Sequence, residues 1–433
     1  MTRSRHIPLG SGFYSTGEPV AWAHPEAGDV LDFAAHRHFA AAAEAAKVDF
    51  MFYGETLSLA DAGGEVVEAY SAGRFDSLTM YSALAAETSK LGLMATVNTS
   101  YYDPYELARQ YASLDAISGG RGGCNLVTSA APATAANFTA GDVPRAERYP
   151  RATEFTDLLK RLWTKGPQGM SFRGHFFDVA TDAGLPPSPQ GHPVLMQAGE
   201  SPAGRDFAAA GADLVFTGFD SVERGQPFYA DVKQRVADRG RDPGAVKIMA
   251  AAFVHVAGSD GEAAEELAEI RRSLTTPAMV HTYLGRYFGR DLSAYDVDGP
   301  LPDLEPDWAV ADVFTANRLR GERDPRRAFA RLKAIADDEH LSMTRLVQRV
   351  FDDALLATVV GSPETIADLI EDAVDRRAVD GFVFSSALQP YGMDRFYSLV
   401  LPILRNRGRF RDDYEGDTLR DHLGLPPVAS VRR

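Results

Sequence analysis

The chain has little cysteine, a deficit of positive charge and no long apolar stretch. Its one cysteine, Cys124, excludes an internal disulfide framework and is typical of a reducing compartment. The 60 Asp and Glu residues outnumber the 45 Lys and Arg residues, which argues against nucleic acid or an anionic membrane as a partner. No segment approaches the roughly 20 apolar residues that span a bilayer, and no apolar run follows the N-terminal basic residues. These absences predict a soluble cytoplasmic protein without a signal peptide.

Clusters of metal ligands are also missing. None of the ten histidines lies at metal-ligand spacing from a Cys, Asp or Glu residue. His36 and His38 are two residues apart in a predicted helix, and side chains at that spacing do not share a helix face. The sequence therefore predicts no metal. No GxGxxG motif stands between a strand and a helix, so no nicotinamide site is expected.

What the chain does contain is an alternation of short apolar strands and amphipathic helices. Eight strands are predicted, at residues 6–14, 48–53, 91–98, 123–127, 193–197, 213–216, 247–256 and 381–384. Helical patterns lie between them, at residues 32–46, 78–89, 104–118, 152–163, 204–210, 229–239 and 362–377, and residues 130–150 are predicted to be a polar loop. This alternation favours parallel strand pairing and predicts an α/β fold, a TIM (β/α)8 barrel that spans residues 1–433 as a single domain.

The interval between the seventh and eighth strands, residues 258–360, is long for a single connection. Its middle is rich in Pro, Asp and Gly, and its flanks show helical patterns. Because the loop after a barrel strand opens onto the functional face, this insertion is predicted to be a mobile lid. Tyr283, Tyr287 and Phe288 are the residues predicted to face the pocket. A contact between subunits and a disordered loop are the alternatives.

Residues 98–130 are predicted to form a strand–helix–strand unit with polar groups at its strand ends. Asp103 is predicted to be the helix N-cap, and Glu106 to complete a capping box. The strand that follows ends among the hydrogen-bonding side chains of Asn125, Thr128 and Ser129. Barrels and related folds place function at the carboxyl ends of their strands, so these side chains are candidates for a site.

The segment QAGESPAG, residues 197–204, follows the fifth predicted strand. Ser201 and Pro202 are predicted to cap and begin a helix, whose free N–H groups and dipole favour an anion. Gly199 and Gly204 would allow a phosphate to approach the backbone. The carboxylate of Glu200 would repel that phosphate, so Glu200 is expected to point away or to act through its backbone. An ordinary capped turn is the alternative interpretation.

Taken together, these motifs resemble a known family. Residues 96–129 read TVNTSYYDPYELARQYASLDAISGGRGGCNLVTS, and with QAGESPAG and the C-terminal TLRDHLGL they resemble the nitrilotriacetate and dibenzothiophene-sulfone monooxygenases, a branch of the bacterial luciferase-like superfamily. The resemblance covers nearly the whole chain and is weakest between residues 258 and 345. It implies a luciferase-like barrel and a flavin-dependent monooxygenase.

The resemblance also implies a cofactor and partners. Reduced FMN (FMNH2), supplied by a separate NAD(P)H:flavin reductase, would react with O2 to give a flavin (hydro)peroxide that oxygenates a small organic substrate. A homo-oligomer, dimer or tetramer, is also expected. The alternatives on the same barrel are a deazaflavin-dependent hydride transferase and a flavin-binding protein without turnover.

Candidate site residues are carried over from the family position by position, and no catalytic base is predicted. Glu55 stands where the family usually has Asp, and Arg145 where it often has His. Cys124 replaces a common Trp, which is expected to change the shape of the pocket, although the thiol itself is expected to be a small apolar filler. The residues expected to bind the cofactor are Glu55, Thr96, Asn98, Asn125, Arg145, Tyr149, Gly199, Glu200, Ser201 and Gly204.

Overall fold

Apolar runs of four to ten residues form a closed parallel barrel at the centre of the computed structural model. The structure describes residues 6–14, 31–55, 57, 61–62, 65–66, 75–128, 132–139, 141–165, 169–181, 184–311, 324–354 and 358–428. The barrel strands are β1 (Leu9–Tyr14), β2 (Phe50–Tyr53), β3 (Gly92–Asn98), β4 (Gly122–Val127), β5 (Val194–Ala198), β6 (Leu214–Gly218), β7 (Lys247–Val256) and β8 (Gly381–Ser385). Each strand pairs in parallel with its neighbours in sequence, and β8 pairs with β1 to close the ring. The predicted TIM barrel is confirmed.

Helices connect the strands, as the alternating pattern predicts. They are α1 (Phe33–Ala45), α2 (Ser77–Glu87), α3 (Pro104–Ile117), α4 (Pro132–Ala136), α5 (Arg145–Lys165), α6 (Pro202–Gly211), α7 (Val222–Asp238), α8 (Asp260–Leu274), α9 (Pro277–Phe288), α10 (Pro325–Asp338), α11 (Met343–Ala354), α12 (Pro363–Asp375), α13 (Tyr391–Leu399), α14 (Leu401–Asn406) and α15 (Leu419–His422). Asp61–Ala62 pairs antiparallel with Glu65–Val66, and Met170–Arg173 pairs antiparallel with Asp178–Thr181. A short strand, Thr358–Gly361, pairs with the end of β7. Within the described residues, no helix is long and apolar enough to cross a membrane.

Helix α5 begins earlier than the sequence predicts. Residues 145–150 are helical rather than part of a loop. Proline removes a backbone donor and disfavours helix in the residue before it, which is why Pro150 indicated a boundary. The helix start is instead tied to the preceding segment by Arg148, whose guanidinium donates to the Val143 carbonyl at 2.9 Å and to Asp142 at 3.0 Å. This shift places Arg145 and Tyr149 on a helix.

The inside of the barrel is a separate apolar core that is closed at its N-terminal end by the C-terminal segment. Side chains from alternate strand positions fill the interior, among them Phe50, Met94, Met196, Leu214, Met249 and Val383. Leu419 and Leu423 of the tail belong to the same core. The Leu419 N–H donates to the Gly120 carbonyl at 3.0 Å, next to the start of β4. The C-terminal segment (the tail) therefore closes the N-terminal end of the barrel.

The long connection between β7 and β8 has a core of its own. Helices α9, α10 and α11 share a cluster of buried apolar side chains that is distinct from the core around the barrel. Tyr283, Tyr287 and Phe288 belong to this cluster, and the rings of Phe288 and Phe329 pack edge to face at 4.9 Å. The prediction that these three aromatic residues face the pocket is therefore wrong. Their helical spacing correctly indicated a buried face, but the face is covered by α10 and α11.

Candidate functional site

Polar side chains meet at the carboxyl ends of β3 and β4, on the inner face of the barrel. Met94 lies in the interior core, so Thr96 and Asn98, at the next alternate positions of β3, share its side of the strand. Asn125 of β4 stands opposite Thr96 in the parallel register. All three polar side chains are almost fully buried. The fold thus brings three predicted residues to one wall of the barrel opening.

Hydrogen bonds fix the direction in which the Asn125 amide points. The Thr96 hydroxyl lies 2.7 Å from the Tyr53 carbonyl, which can only accept, so the hydroxyl hydrogen is donated there. The Thr96 oxygen must then accept from the Asn125 amide nitrogen, 3.1 Å away. This leaves Asn125 Oδ1 as an acceptor that has no hydrogen-bond partner among the described residues. Because a buried acceptor without a partner is costly, Oδ1 is suited to a ligand that donates an N–H or O–H.

Glu55 joins this wall through a residue that the sequence did not single out. Ser77, the first residue of α2, has its hydroxyl 2.9 Å from the Thr96 carbonyl and 3.3 Å from the Glu55 carboxylate. Burial, together with the negative charges of Glu55 and Asp76, raises the pKa of Tyr102, so its phenol keeps its proton at neutral pH. Ser77 and Tyr102 carry no local sequence signal, because only the folded chain brings them to Glu55.

Asn98 has a local role as well as its place on the wall. Its Oδ1 accepts from the Ser100 N–H at 3.0 Å, which holds the turn between β3 and α3. The predicted N-cap of α3 is confirmed, since Asp103 accepts from the N–H groups of the first turn. The second half of the predicted capping box is wrong: the Glu106 carboxylate pairs with Arg109 instead of turning back to the cap.

A second polar cluster surrounds the turn between β5 and α6. Ser201 is the N-cap of α6 and accepts from the Gly204 N–H at 3.1 Å, and its own hydroxyl lies 3.4 Å from the Tyr149 hydroxyl. A Cβ on Gly204 would lie 2.8 Å from the Gly199 carbonyl and 2.8 Å from the Tyr149 hydroxyl. Glycine is therefore required for the turn to close against Tyr149. Two hydroxyls and a helix N-terminus converge here, as an anion site requires.

Glu200 is turned away from this cluster. Its carboxylate accepts from the Thr217 hydroxyl at 2.7 Å and from the Gly218 N–H at 3.0 Å, both at the end of β6. Its carbonyl accepts from Arg205 at 2.9 Å. The expectation that Glu200 points away from the turn is confirmed, and its charge is removed from the space that an anion would occupy.

Arg145 is the predicted residue that the structure leaves apart. It is exposed at the first position of α5 and makes no hydrogen bond or ion pair with any residue that the structure describes. Positions four apart share a helix face, so Arg145 lies on the side of α5 that carries Tyr149. It lies about one turn before Tyr149 on that helix.

Cys124 lies on the opposite side of β4 from Asn125. It is fully buried in the core between the barrel and its helices, close to Tyr111 of α3. Burial raises the pKa of the thiol to about 12, which keeps it protonated and unreactive. The apolar-filler interpretation is confirmed. The expectation that this residue reshapes the pocket is wrong, because its side chain contacts a helix and not the barrel opening.

The residues on the opposite wall of the opening were not predicted from the sequence. Ser385 at the end of β8 and Gln389 in the loop after it both donate to the Gly12 carbonyl of β1, at 3.0 and 3.2 Å. The Gln389 side chain is 1% exposed, and its Oε1 has no partner in the described part of the chain. A second buried acceptor therefore lies after β8, on the side of the barrel opposite β4. A lone Ser and Gln after a strand give no pattern from which this could be read.

Comparisons with known proteins agree with this geometry. Residues 11–380 match the luciferase-like monooxygenase family. N-acetyl-S-(2-succino)cysteine monooxygenase of Bacillus subtilis (strain 168) is 35% identical over 98% of each chain, and nitrilotriacetate monooxygenase component A of Aminobacter aminovorans is 34% identical over 100% of each. The solved structure of riboflavin lyase with modified FMN and riboflavin has a TM-score of 0.78 at 28% identity, over 98% of this chain and 96% of the other. The resemblance seen in the motifs is confirmed.

Proposed function

This chain belongs to the luciferase-like monooxygenase family, and we propose that it oxygenates a small organic substrate with O2 and reduced FMN, which a separate NAD(P)H:flavin reductase delivers. The observation that supports this most is the pairing of two clusters at neighbouring strand ends: a buried amide acceptor on β4 and a hydroxyl-lined helix N-terminus after β5. The first matches the hydrogen-bonding edge of a flavin ring, and the second matches its phosphate.

The second cluster would hold the FMN phosphate. Ser201 and Tyr149 offer hydroxyl donors on the N-terminal end of α6, and Gly199 and Gly204 keep the turn free of side chains. Glu200 would contribute through its backbone, because its carboxylate is engaged on β6. Arg145, about one turn before Tyr149, would add a long-range positive charge. A dianionic phosphate is favoured by each of these features.

The first cluster would hold the isoalloxazine ring. Asn125 Oδ1 would accept from a ring N–H, with Thr96 holding the amide in place and Asn98 and Glu55 lining the same wall. When bound, reduced FMN supplies the electrons that activate O2, which no side chain can do. The protein orients the ring and substrate and excludes water from them.

The α9–α11 unit would cover the opening. It has its own hydrophobic core, so it can move as a body, and α9 also packs beside the Asp61–Ala62 hairpin strand that follows β2. Both segments follow barrel strands at the functional face. We therefore retain the lid proposal, although its aromatic residues pack inside the α9–α11 unit. The unit as a whole is expected to close over the barrel opening.

Oxygen consumption with photoreduced FMN tests the proposal. The assay would use a substrate panel that includes nitrilotriacetate and N-acetyl-S-(2-succino)cysteine, because relatives are named for these compounds. A reduced deazaflavin would be run in parallel. We expect substrate-dependent oxygen uptake and an oxygenated product with FMN. Hydride transfer from the deazaflavin, without oxygen uptake with FMN, would identify a different oxidoreductase on the same barrel.

Ser201→Asp tests the phosphate site directly. A carboxylate at the helix N-terminus would repel the phosphate, so FMN affinity should fall at least tenfold while the circular dichroism spectrum stays unchanged. Asp is itself a good N-cap, so the fold is not at risk. Ser362→Asp, at the N-cap of α12, is the matched control and should leave flavin affinity as it is. Undiminished affinity in the Ser201 variant would remove the site from this turn.

The requirement for a reductase has its own test. The purified chain with FMN should oxidise NADH and NADPH no faster than free FMN does, and addition of a flavin reductase should start turnover. Rapid pyridine-nucleotide oxidation by this chain alone would show that it carries a nicotinamide site and would contradict the two-component arrangement.

A further inference from the structure

A cavity of about 420 Å3 lies outside the barrel, between β4 and β5 on one side and α5 and α6 on the other. Sites for small molecules have volumes of roughly 300–1,000 Å3, so this cavity is large enough for a ligand. Its walls include Leu126, Leu195 and Gln197, which alternate with Asn125 and Met196 and therefore point away from the barrel interior. The cavity is thus on the far side of the strands from the proposed flavin ring.

The cavity has apolar residues on one side and polar residues on the other, which favours an amphipathic ligand. Leu126, Leu195 and Phe207 provide apolar contact, with the small residues of α6 leaving room beside them. Polar groups from α5 line the other side. The cavity follows α5 from Pro150 to Lys160, which corresponds to about 15 Å of helix. An elongated ligand matches this shape better than a compact one.

Three charged residues line the cavity, and the two carboxylates are already engaged by donors of the protein. The Glu154 carboxylate accepts three backbone N–H groups of the hairpin turn at residues 175–177, at 2.8 to 2.9 Å. Asp157 pairs with Arg161 at 2.9 Å on the surface. Lys160 donates to the Gly211 carbonyl at 2.6 Å, and the carboxylates of Asp213 and Asp157 act on its charge, but neither forms an ion pair with it among the described residues. An ammonium has three donors, so Lys160 can also bind an anion.

Gln197 lies toward the other end of the cavity. A Cβ on Gly199 would clash with the Gln197 amide nitrogen and would lie 2.9 Å from the Tyr149 hydroxyl, which places the Gln197 amide near the start of α5. The Gln197 side chain is 2% exposed, and its Oε1 has no hydrogen-bond partner in the part of the chain that the structure describes. A buried acceptor of this kind calls for a donor from a ligand or from water.

We propose that this cavity binds a small, elongated carboxylate with its carboxylate on Lys160, its apolar body on Leu126, Leu195 and Phe207, and a hydroxyl or amide N–H donated to Gln197. The ligand would lie outside the barrel interior, and its Gln197 end would adjoin the turn at Gly199 and Tyr149 that we propose for the FMN phosphate. Each part of the ligand has one partner in the cavity: the carboxylate pairs with the ammonium, the apolar body contacts the apolar side chains, and the hydroxyl or N–H donates to the buried amide oxygen.

Three probes that differ in one group each can test this assignment. 6-Hydroxyhexanoate carries all three features, hexanoate lacks the donor, and 1,6-hexanediol lacks the carboxylate. Binding to the full chain without flavin would be titrated by ligand-detected NMR. We expect 6-hydroxyhexanoate to bind most tightly. Lys160→Met should weaken the two carboxylates at least tenfold and leave the diol unchanged, because a hydrogen bond to a charged group is lost. Gln197→Leu should weaken the two hydroxyl compounds and spare hexanoate.

Two further variants guard against indirect effects. Lys333→Met removes a lysine on α10 whose nearest carboxylates lie 3.8 and 3.9 Å away, and it should change none of the three affinities. Ala210→Phe places a ring in the cavity from an exposed position of α6 and should abolish binding of all three probes while the thermal midpoint stays near that of the wild type. Equal binding by wild type and Ala210→Phe, or no saturable binding of either carboxylate to wild type, would overturn the proposal and leave a cavity that holds only water.

Discussion

Both ends of the barrel bury polar groups but use them differently. At the N-terminal end two buried carboxylates are paired with arginines: Asp49 accepts from the Leu9 N–H at 2.7 Å and contacts Arg411, and Asp213 accepts from Arg420 at 3.0 Å. At the C-terminal end, Asn125 is buried to a comparable extent, yet its Oδ1 lacks a partner among the described residues.

The difference separates stability from function within one fold. The tail brings Arg411 and Arg420 to carboxylates that burial would otherwise destabilise. Burial alone would raise the pKa of Asp213, but the charge and hydrogen bonds of Arg420 outweigh it and hold that pKa below its usual range. The opening instead contains buried acceptors without partners among the described residues, and we propose that a ligand satisfies them. Barrels generally place function at this end and stability at the other.

Breaking the Asp213–Arg420 pair should have the largest effect. Arg420→Met leaves Asp213 buried without its cation, and loss of one partner of a buried pair costs about 3–5 kcal/mol of unfolding free energy. Urea denaturation would measure the loss, and flavin affinity should change little because the pair lies at the far end of the barrel. A loss below about 1 kcal/mol would show that solvent replaces the guanidinium. The double variant Arg420→Met/Asp213→Leu should recover part of the loss, since no unpaired charge remains.

Asp115, also at the N-terminal end of the barrel, forms no ion pair among the described residues. It should make stability fall as pH rises, which is the opposite of the effect expected from the paired Asp213. It accepts from Ser188, Gln190 and the Gly122 N–H, but burial raises its pKa to about 6. Because this folded-state value lies above the unfolded value of about 3.9, its contribution to stability is present below about pH 4 and is lost as pH rises through 6. Asp115→Asn removes this loss, so its stability relative to wild type should rise by about 2–3 kcal/mol from pH 4 to pH 7. Parallel stability curves from urea melts across that range would contradict the prediction.

At the C-terminal end, Thr96→Val should weaken flavin binding more than it weakens the fold. Valine has the same shape but loses both hydrogen bonds, so the Asn125 amide is free to turn its nitrogen toward the ligand. A lost neutral hydrogen bond corresponds to roughly 0.5–1.5 kcal/mol, or a fall of about two- to twelvefold in affinity for reduced FMN. Thr96→Ser keeps the hydroxyl and is the control. Anaerobic titration with reduced FMN would measure both, and equal losses in the two variants would mean that the hydroxyl does not orient the amide.

The sequence was sufficient for the barrel because buried parallel strands are continuous apolar runs. The predicted bounds of β7, residues 247–256, match the structure, and the other strand ends differ by a few residues. Local signals misled at α5, where Pro150 indicated a boundary that the helix passes through. They also misled for Tyr283, because helical spacing shows that a face is buried without showing what covers it.

For the site, the sequence indicated residues but not their contacts. The resemblance pointed to Thr96 and Asn125, and their register across β3 and β4 brings them together. Partners that are distant in sequence gave no signal: Ser77 reaches Thr96 only through packing of α2, and Gln389 reaches β1 across 377 residues of chain. The side of β4 to which Cys124 points also could not be predicted, because it depends on the strand register, and a shift of one residue would reverse it.

The smallest effect should come from an ion pair that ties the outside of the same tail. Lys90 contacts Asp417 and donates to the Gly416 carbonyl at 3.2 Å, but their side chains are 37% and 86% exposed. Exposed pairs are screened by solvent and typically contribute less than about 1 kcal/mol. Lys90→Met should therefore lower the unfolding free energy by less than that amount, and the difference from wild type should vanish in 1 M NaCl, where the Debye length is about 3 Å. The loss in Arg420→Met should persist at the same salt concentration, because that pair is largely buried and screened less. Urea melts at low and high salt would measure both, and a large, salt-resistant loss in the Lys90 variant would show that the outer contact, rather than the buried arginine, holds the tail in place.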